Sequence, residues 1–427
     1  MSRWLVKRIL GAPELRSKYR IPWSWKLGTR LYNKKSFKET YKQEAFMLLI
    51  QEICRNSKFY REHLERFNLK KIRTPEDLGD FFTYPEQLES HPEDFVCKKP
   101  DIYFETSGSS GSPKKIGFTR EDFLLLAFTT AYGLKKMGVK KNDLYLNAYS
   151  YGIWVPGLII QNALEMLSVP VIPVSHQKPE VIFEKIIDYK PTIVGILPSS
   201  LIAITKLAEK CKKELPKIRW FQTGAQHIPR ETKEWIKTVW GAKTINGYGA
   251  TEFGGTFAVE CNEGKGYHFN DLLFWVEILN PDQNGYGELV VTTLAFQCMP
   301  LIRYRIGDIT RFVDDSCDCS FGAAKIDYIL GRKDNMFKAA GNNFYPKYFS
   351  KAVVEGVFLG VEIDTKESID RIKIRIVEGS KVDLKRLDTF ILDTIEKDEL
   401  IVETKSESPD SHTGRKIPEV IDLRSRD

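Results

Sequence analysis

Thr106-Ser107-Gly108-Ser109-Ser110-Gly111-Ser112-Pro113-Lys114 follows the apolar run Ile102-Tyr103-Phe104 and opens a region, residues 116–250, where helix-like and strand-like stretches alternate. Glycine admits backbone conformations closed to other residues and lets N–H groups approach an anion closely. The hydroxyls add donors and the lysine adds charge, so the stretch has the chemistry of a phosphate cradle and points to a nucleotide-using enzyme. It is not a Walker A sequence: Pro113 stands where that motif needs glycine before its lysine, and Lys115 where it needs Ser or Thr. A Ser/Gly-rich loop is also a common surface linker, so its meaning depends on what surrounds it.

The surroundings are periodic. Helix-like stretches near 121–137, 158–168, 180–190, 199–213 and 230–240 separate short apolar runs such as Leu144-Tyr145-Leu146, Val169-Pro170-Val171-Ile172 and Ile218-Arg219-Trp220-Phe221. Others are Thr192-Ile193-Val194-Gly195-Ile196-Leu197 and Thr244-Ile245. This alternation predicts an α/β fold with mostly parallel sheets flanked by helices, and ligands at the carboxyl ends of strands. Upstream, Phe46, Leu49, Ile50 and Ile53 at helical spacing predict a helix over 36–66. Residues 269–329, with turn signals such as Asn284-Gly285, read as an antiparallel β subdomain. Beyond 331 a short βαββα-like pattern reads as a small α+β domain, with strands near Val357–Ile363 and Ile372–Val377 and a helix near 383–398. There are no internal repeats or low-complexity tracts.

Composition narrows the class. The 427 residues suffice for two or three domains, and apolar and charged fractions are those of an ordinary globular protein. No stretch reaches the ~18 apolar residues of a membrane span, and Lys7-Arg8 directly after Trp4-Leu5-Val6 prevents a signal-peptide core. Seven irregularly spaced cysteines do not form a secreted disulfide framework, so a cytoplasmic location is expected. Residues 1–35 carry ten Lys/Arg against Glu14 alone; this segment is therefore +9 in a chain that is +7, leaving −2 elsewhere. Such an arm is either a solvated extension or a landing strip for an acidic partner or anionic surface. No recognition motif accompanies the charge, which argues against nucleic acid.

From the loop onward, ordered segments resemble the adenylate-forming superfamily of acyl-CoA synthetases, in particular its phenylacetate–CoA ligase branch. They are the loop itself, Gly247-Tyr248-Gly249-Ala250-Thr251-Glu252, Gly287-Glu288-Leu289-Val290-Val291-Thr292-Thr293-Leu294, Pro300-Leu301-Ile302-Arg303-Tyr304-Arg305-Ile306-Gly307-Asp308, Gly331-Arg332-Lys333-Asp334 and a terminal Lys416. Asn56-Ser57-Lys58-Phe59-Tyr60-Arg61 is similar too, so the resemblance runs from about residue 40 to the end. It implies a basic N-terminal extension (1–40), a large adenylating domain (41–331) and a small mobile domain (332–427).

The resemblance also implies roles. Thr106, Ser107, Gly108, Ser109, Ser110, Gly111 and Lys114 would hold the phosphates of ATP. Tyr248 and Gly249 would form the adenine platform, Thr251 would contact the α-phosphate, and Glu252 would ligate Mg²⁺, for which a hard carboxylate is suited. Gly224-Ala225-Gln226 resembles an adenine segment whose third residue is ordinarily acidic. Asp308 would accept from both ribose hydroxyls, the alternative being an ion pair with Arg303 or Arg305. Arg332 would join the nucleotide site and Asp334 would be the hinge, with Lys338 and Gly341 matching the Lys-x-x-Gly that follows it in many members. Lys416 would offset charge at the α-phosphate, although Arg415 departs from the usual glycine and is a rival cation. Tyr149-Ser150-Tyr151-Gly152-Ile153-Trp154 matches an aromatic acyl wall, with Tyr151 and Trp154 as candidates against plain core packing.

Cys261-x6-His268 and Cys317-x-Cys319 offer three thiolates and an imidazole, a four-coordinate structural Zn²⁺ set. Asp318 and Ser320 replace the proline and glycine of the Cys-Pro-Cys-Gly found in many relatives, and unligated buried cysteines are the alternative. The implied reaction is ATP-dependent activation of a small carboxylic acid, aryl or arylacetic, through an acyl-adenylate, then transfer to coenzyme A. Two alternatives stay open: transfer to the phosphopantetheine of an acidic carrier protein, and a non-catalytic ATP or acyl-AMP-binding regulator. A homodimer is the oligomer considered.

Overall fold

The computed structural model describes residues 35–106, 113–225, 228, 230–313, 317, 319, 324–339, 342–355, 358–366, 369–377, 379–387, 391, 400–405 and 420–423. The chain divides into two compact units. One comprises residues up to His176, Gly247–Ile306 and Arg311–Tyr328; the other comprises Gln177–Asn246, Gly307–Thr310 and Ile329–Asp427.

In the first unit the expected helix over 36–66 is two helices, Lys35–Asn56 and Lys58–Leu64. Ser57 interrupts it: its hydroxyl accepts from Tyr60 N at 3.3 Å and donates to the Asp94 carbonyl at 2.7 Å, so a buried cap starts a second helix. The strands Ile102–Glu105 and Lys115–Phe118 pair antiparallel, Glu105 opposite Lys115. The Ser/Gly-rich stretch thus lies in sequence between two paired strands.

Helix Arg120–Lys136 follows, with Thr119 Oγ1 accepting from Asp122 N at 3.1 Å and Asp122 Oδ2 accepting from Thr119 N at 3.1 Å. Asp122 is buried, which pushes its carboxyl above the usual range. It also accepts from Gln297 N (2.8 Å) and Cys298 N (2.9 Å), and these bonds pull the other way. Tyr145–Asn147 and Val171–Pro173 are parallel strands joined through helix Val155–Met166, as the alternation predicts.

The antiparallel region begins earlier than expected. The end of strand Lys243–Ala250 pairs with Gly255–Glu260, which pairs with Tyr267–Phe269, then Lys325–Ile326 and Phe312–Val313. Phe274–Leu279 and Gly287–Thr293 pair antiparallel within a second, four-stranded sheet, around a turn where Asp282 accepts from Asn284 N and Tyr286 N.

In the second unit, Ile193–Gly195 and Trp220–Gly224 are parallel, with helix Pro198–Lys210 between them in sequence. Phe358–Lys366 and Ile369–Val377 form an antiparallel hairpin, flanked in parallel by Val420–Asp422 and Leu400–Lys405. Strand periodicity sorts this hairpin's faces. Val361, Ile363, Ile372, Ile374 and Ile376 join Phe337, Phe344 and Phe349 in one core, while Glu362–Lys373 and Asp364–Arg371 pair at 2.8 Å. Of the helix expected near 383–398, the described residues show a 3-10 turn at Leu384–Arg386 and a helical, buried Ile391. Among the described residues no helix is long and apolar enough to cross a membrane.

Candidate active site

Strand Lys243–Ala250 runs through most of the Gly247–Glu252 motif, rather than ending before it at Ile245. Tyr248 and Gly249 are thus strand residues, and Thr251–Phe253 is a 3-10 turn. The strand continues because Gly249 has no side chain: a Cβ there would lie 2.0 Å from the carbonyl oxygen of Gly255 on the paired strand. Tyr248 is half-buried, its ring 5.9 Å from Phe257 edge-to-face and 6.1 Å from Tyr267.

Three residues meet beyond the strand. Lys114 Nζ lies 3.4 Å from Glu252 Oε1, and the Tyr304 hydroxyl donates to the same oxygen at 3.0 Å. Thr251 Oγ1 donates to the Glu105 carbonyl at 3.4 Å, tying the turn to the root of the hairpin. Across that root, Thr106 N donates to the Lys114 carbonyl (3.1 Å) and Lys114 N to Thr106 Oγ1 (3.0 Å). A carboxylate, an ammonium and a hydroxyl are therefore gathered at the base of a glycine- and serine-rich loop. Such a set can ligate a hard cation and offset phosphate charge. Ser107, Gly108, Ser109, Ser110 and Gly111 lie outside the described residues, as do Gln226, Gly341, Arg415 and Lys416.

Tyr304 was not among the residues expected at the site. It sits in the quoted Pro300–Asp308 motif between two arginines, and an aromatic hydroxyl inside such a strand was the available signal. Arg303 pairs with Glu277 at 2.7 Å and Arg305 with Glu288. Burial pushes the Glu277 carboxyl up, opposed by the Arg303 guanidinium.

The segment 149–154 adjoins the same hairpin, since Glu105 N donates to the Ile153 carbonyl at 3.1 Å. Tyr151 is held by its hydroxyl, which accepts from Asn147 Nδ2 and donates to Gln161 Oε1, both at 2.8 Å. Tyr149 is buried, whereas Ile153 and Trp154 are exposed.

The second unit holds the remaining described candidates. Gly224 ends its strand and Ala225 takes a left-handed φ of 70°. Thr223 Oγ1 is 3.1 Å from Asn246 Oδ1. Asp308, 8% exposed, stands opposite Arg332 across an antiparallel pair. Gly307 beside it has a φ of 85°, and the Arg332 guanidinium would touch any Cβ there at 3.4 Å. Asp334 is exposed, 4.0 Å from Arg332.

The four candidate metal ligands converge in the first unit, with their donor atoms within 4.8 Å of one another. Cys319 Sγ is 2.8 Å and Cys317 Sγ 3.5 Å from His268 Nε2, and the two sulfurs are 3.1 Å apart, too far for a disulfide. His268 is buried on strand Tyr267–Phe269 and Cys261 is buried just after strand Gly255–Glu260, its N donating to the Gly266 carbonyl at 2.8 Å. Three thiols and one imidazole in this arrangement match the donor set and count of a closed tetrahedral site.

The description "AMP-binding enzyme" matches residues 70–284. Over 343 residues the chain is 29% identical to the phenylacetate-coenzyme A ligase of Thermus thermophilus, covering 75% of this chain and 74% of that one. It is 28% identical over 316 residues to the phenylacetate-coenzyme A ligase of Aromatoleum evansii, covering 70% and 69%. Its fold is similar to that of 2-hydroxyisobutyryl-CoA ligase in the postadenylation state with 2-HIB-AMP, with a TM-score of 0.74 at 19% identity over 91% and 89% of the two chains.

Proposed function

The chain belongs to the AMP-binding enzyme family, and on that premise we propose that it activates a small carboxylic acid with ATP and transfers the acyl group to coenzyme A. In the first half-reaction a carboxylate oxygen attacks the α-phosphorus, the bond to the bridging oxygen breaks, and pyrophosphate leaves. In the second a thiol attacks the acyl carbon and AMP departs, its phosphate taking the bonding electron pair. Neither step needs a protein nucleophile; catalysis is positioning and charge stabilisation.

The observation that carries this reading is the convergence of Lys114 and Tyr304 on Glu252 at the base of the loop. Glu252 is the proposed ligand of Mg²⁺, which when bound would neutralise phosphate charge. Thr251, tethered to the hairpin through Glu105, faces the α-phosphate. The Thr106–Gly111 loop with Lys114 receives the other phosphates, Tyr248 and Gly249 the adenine together with Gly224, Ala225 and Gln226, and Asp308 with Arg332 the ribose end. Lys416 serves the adenylation step, and residues 332–427 act as the mobile domain hinged at Asp334. Cys261, His268, Cys317 and Cys319 hold a structural Zn²⁺.

The Tyr151 segment forms the acyl wall and favours a flat aryl or arylacetic acid. Similarity to phenylacetate-coenzyme A ligases supports that class. The test is pyrophosphate release with Mg·ATP across aryl, arylacetic and medium-chain acids, without thiol. Acid-dependent release is expected; none with any acid, from protein that still binds ATP, overturns the reading in favour of a regulator. For the acceptor, a shallow dependence of rate on salt marks coenzyme A and a steep one an acidic carrier protein.

A further inference from the structure

We infer that Tyr304 is the positioning residue that orients Glu252 toward its cation, an inference that rests on the proposed role of Glu252. Tyr304 is fully buried, and its hydroxyl donates to Oε1 of Glu252 at 3.0 Å. Lys114 addresses the same oxygen at 3.4 Å. With both donors of the described residues on Oε1, the carboxylate is held by one oxygen and presents Oε2 to an incoming ion. Donors of this kind fix a ligating carboxylate from behind and tune its affinity.

The backbone around Tyr304 is built to keep it there. Arg303 has a left-handed φ of 48°, a conformation unfavourable for a non-glycine residue that persists only where its surroundings enforce it. They do so from several directions. Arg303 pairs through two nitrogens with Glu277, donates to the Gly79 carbonyl, and lies 4.1 Å over the Phe82 ring. Thr83 threads the segment: its N donates to the Arg303 carbonyl at 3.1 Å, its Oγ1 to the Ile302 carbonyl at 2.7 Å, and its carbonyl accepts from Arg305 N at 2.9 Å. Tyr304 and Arg305 are successive residues of strand Tyr304–Thr310, so alternation turns Tyr304 away from the face on which Arg305 pairs with Glu288. On the opposite face its ring packs edge-on against Phe253, next to Glu252, at 6.1 Å. The two arginine clamps thus hold a phenol against the carboxylate.

Calorimetric titration of the full chain with ATP, in metal-stripped buffer without chelator and again with Mg²⁺ added, separates this role from packing. Leaving out the chelator spares the cysteine–histidine cluster. Tyr304→Phe keeps the ring and is expected to bind ATP alone like the wild type, but to lose about tenfold of the affinity gained on adding Mg²⁺. In Glu252→Gln the Mg²⁺ gain should vanish, and adding Tyr304→Phe should change nothing further. A Phe variant with the full Mg²⁺ gain, an equal loss with and without Mg²⁺, or additive losses in the double variant overturns the inference. If the Phe variant does not fold, 3-fluorotyrosine placed at 304 gives a second readout. Its ¹⁹F resonance should move with Mg·ATP and not with ATP alone, and an unmoved resonance overturns the proposal. Wild-type protein that binds no ATP overturns the proposed function and this inference with it, whereas the variant outcomes leave that function standing.

Discussion

Lys114 Nζ stands 3.4 Å from Oε1 of Glu252, and the two side chains are only 14% and 7% exposed. An ammonium and a carboxylate this sheltered interact more strongly than a surface pair, because little water screens them. The pair also joins the far root of the hairpin loop to the turn after strand Lys243–Ala250.

Lys114→Ala leaves Glu252 with Tyr304 as its remaining described donor and removes a cation from the proposed phosphate site. Acid-dependent pyrophosphate release is expected to fall ~10²-fold, the scale for losing one preorganised charge-stabilising donor. Wild-type rates at saturating ATP would show that Lys114 is not part of the phosphate site.

Lys416→Ala is expected to slow adenylation ~10²–10³-fold. Thioester formation from supplied acyl-AMP should survive, because the charge Lys416 is proposed to offset belongs to the first half-reaction. Measuring both half-reactions on one preparation checks this; equal losses would reject the assigned role, and a phenotype confined to Arg415→Ala would transfer it to the neighbour.

Purified protein should carry one zinc per chain by elemental analysis, and Cys317→Ser with Cys319→Ser should abolish it. Stability to denaturant should then drop by several kcal/mol, out of the roughly 10 kcal/mol that binding a four-ligand structural zinc can supply. Full stability without metal would mean that the four side chains are simply buried and unligated.

The Asp364 carboxyl is held below the usual aspartate range, chiefly by its bonds to Arg371 and then by those to Lys373. A depressed carboxyl stabilises the fold above its unfolded pKa, about 3.9, and loses that contribution as pH falls through the lower folded value. Asp364→Asn should therefore lower stability at neutral pH and flatten the acid side of the pH–stability curve. Parallel curves for the two proteins would rule this out.

Periodicity located most elements because burial on one face leaves a pattern in the chain. The helices expected near 121–137 and 230–240 are Arg120–Lys136 and Arg230–Trp240, and Ile372, Ile374 and Ile376 alternate into one core. It failed where one residue changes the backbone without changing the pattern. Ser57 divides a helix whose apolar spacing continues, because its hydroxyl caps from within the protein. Gly249 lets a strand continue past the apolar run Thr244-Ile245 into the motif, because the next strand's carbonyl occupies the space of a Cβ.

The candidate residues could be named from the sequence because side-chain type is a property of the residue: glycines and hydroxyls suit phosphate, carboxylates suit a cation or ribose, and thiols with imidazole suit zinc. What tertiary structure alone decided is which atoms touch. Tyr304 reaches Glu252 across 52 residues from a segment in which Arg303, left-handed, is held by Glu277 and Phe82 and which Thr83 threads. A hydrogen bond demands alignment to within a few tenths of an ångström. Spacing along a chain specifies faces and order, whereas alignment on that scale comes from packing between segments distant in sequence.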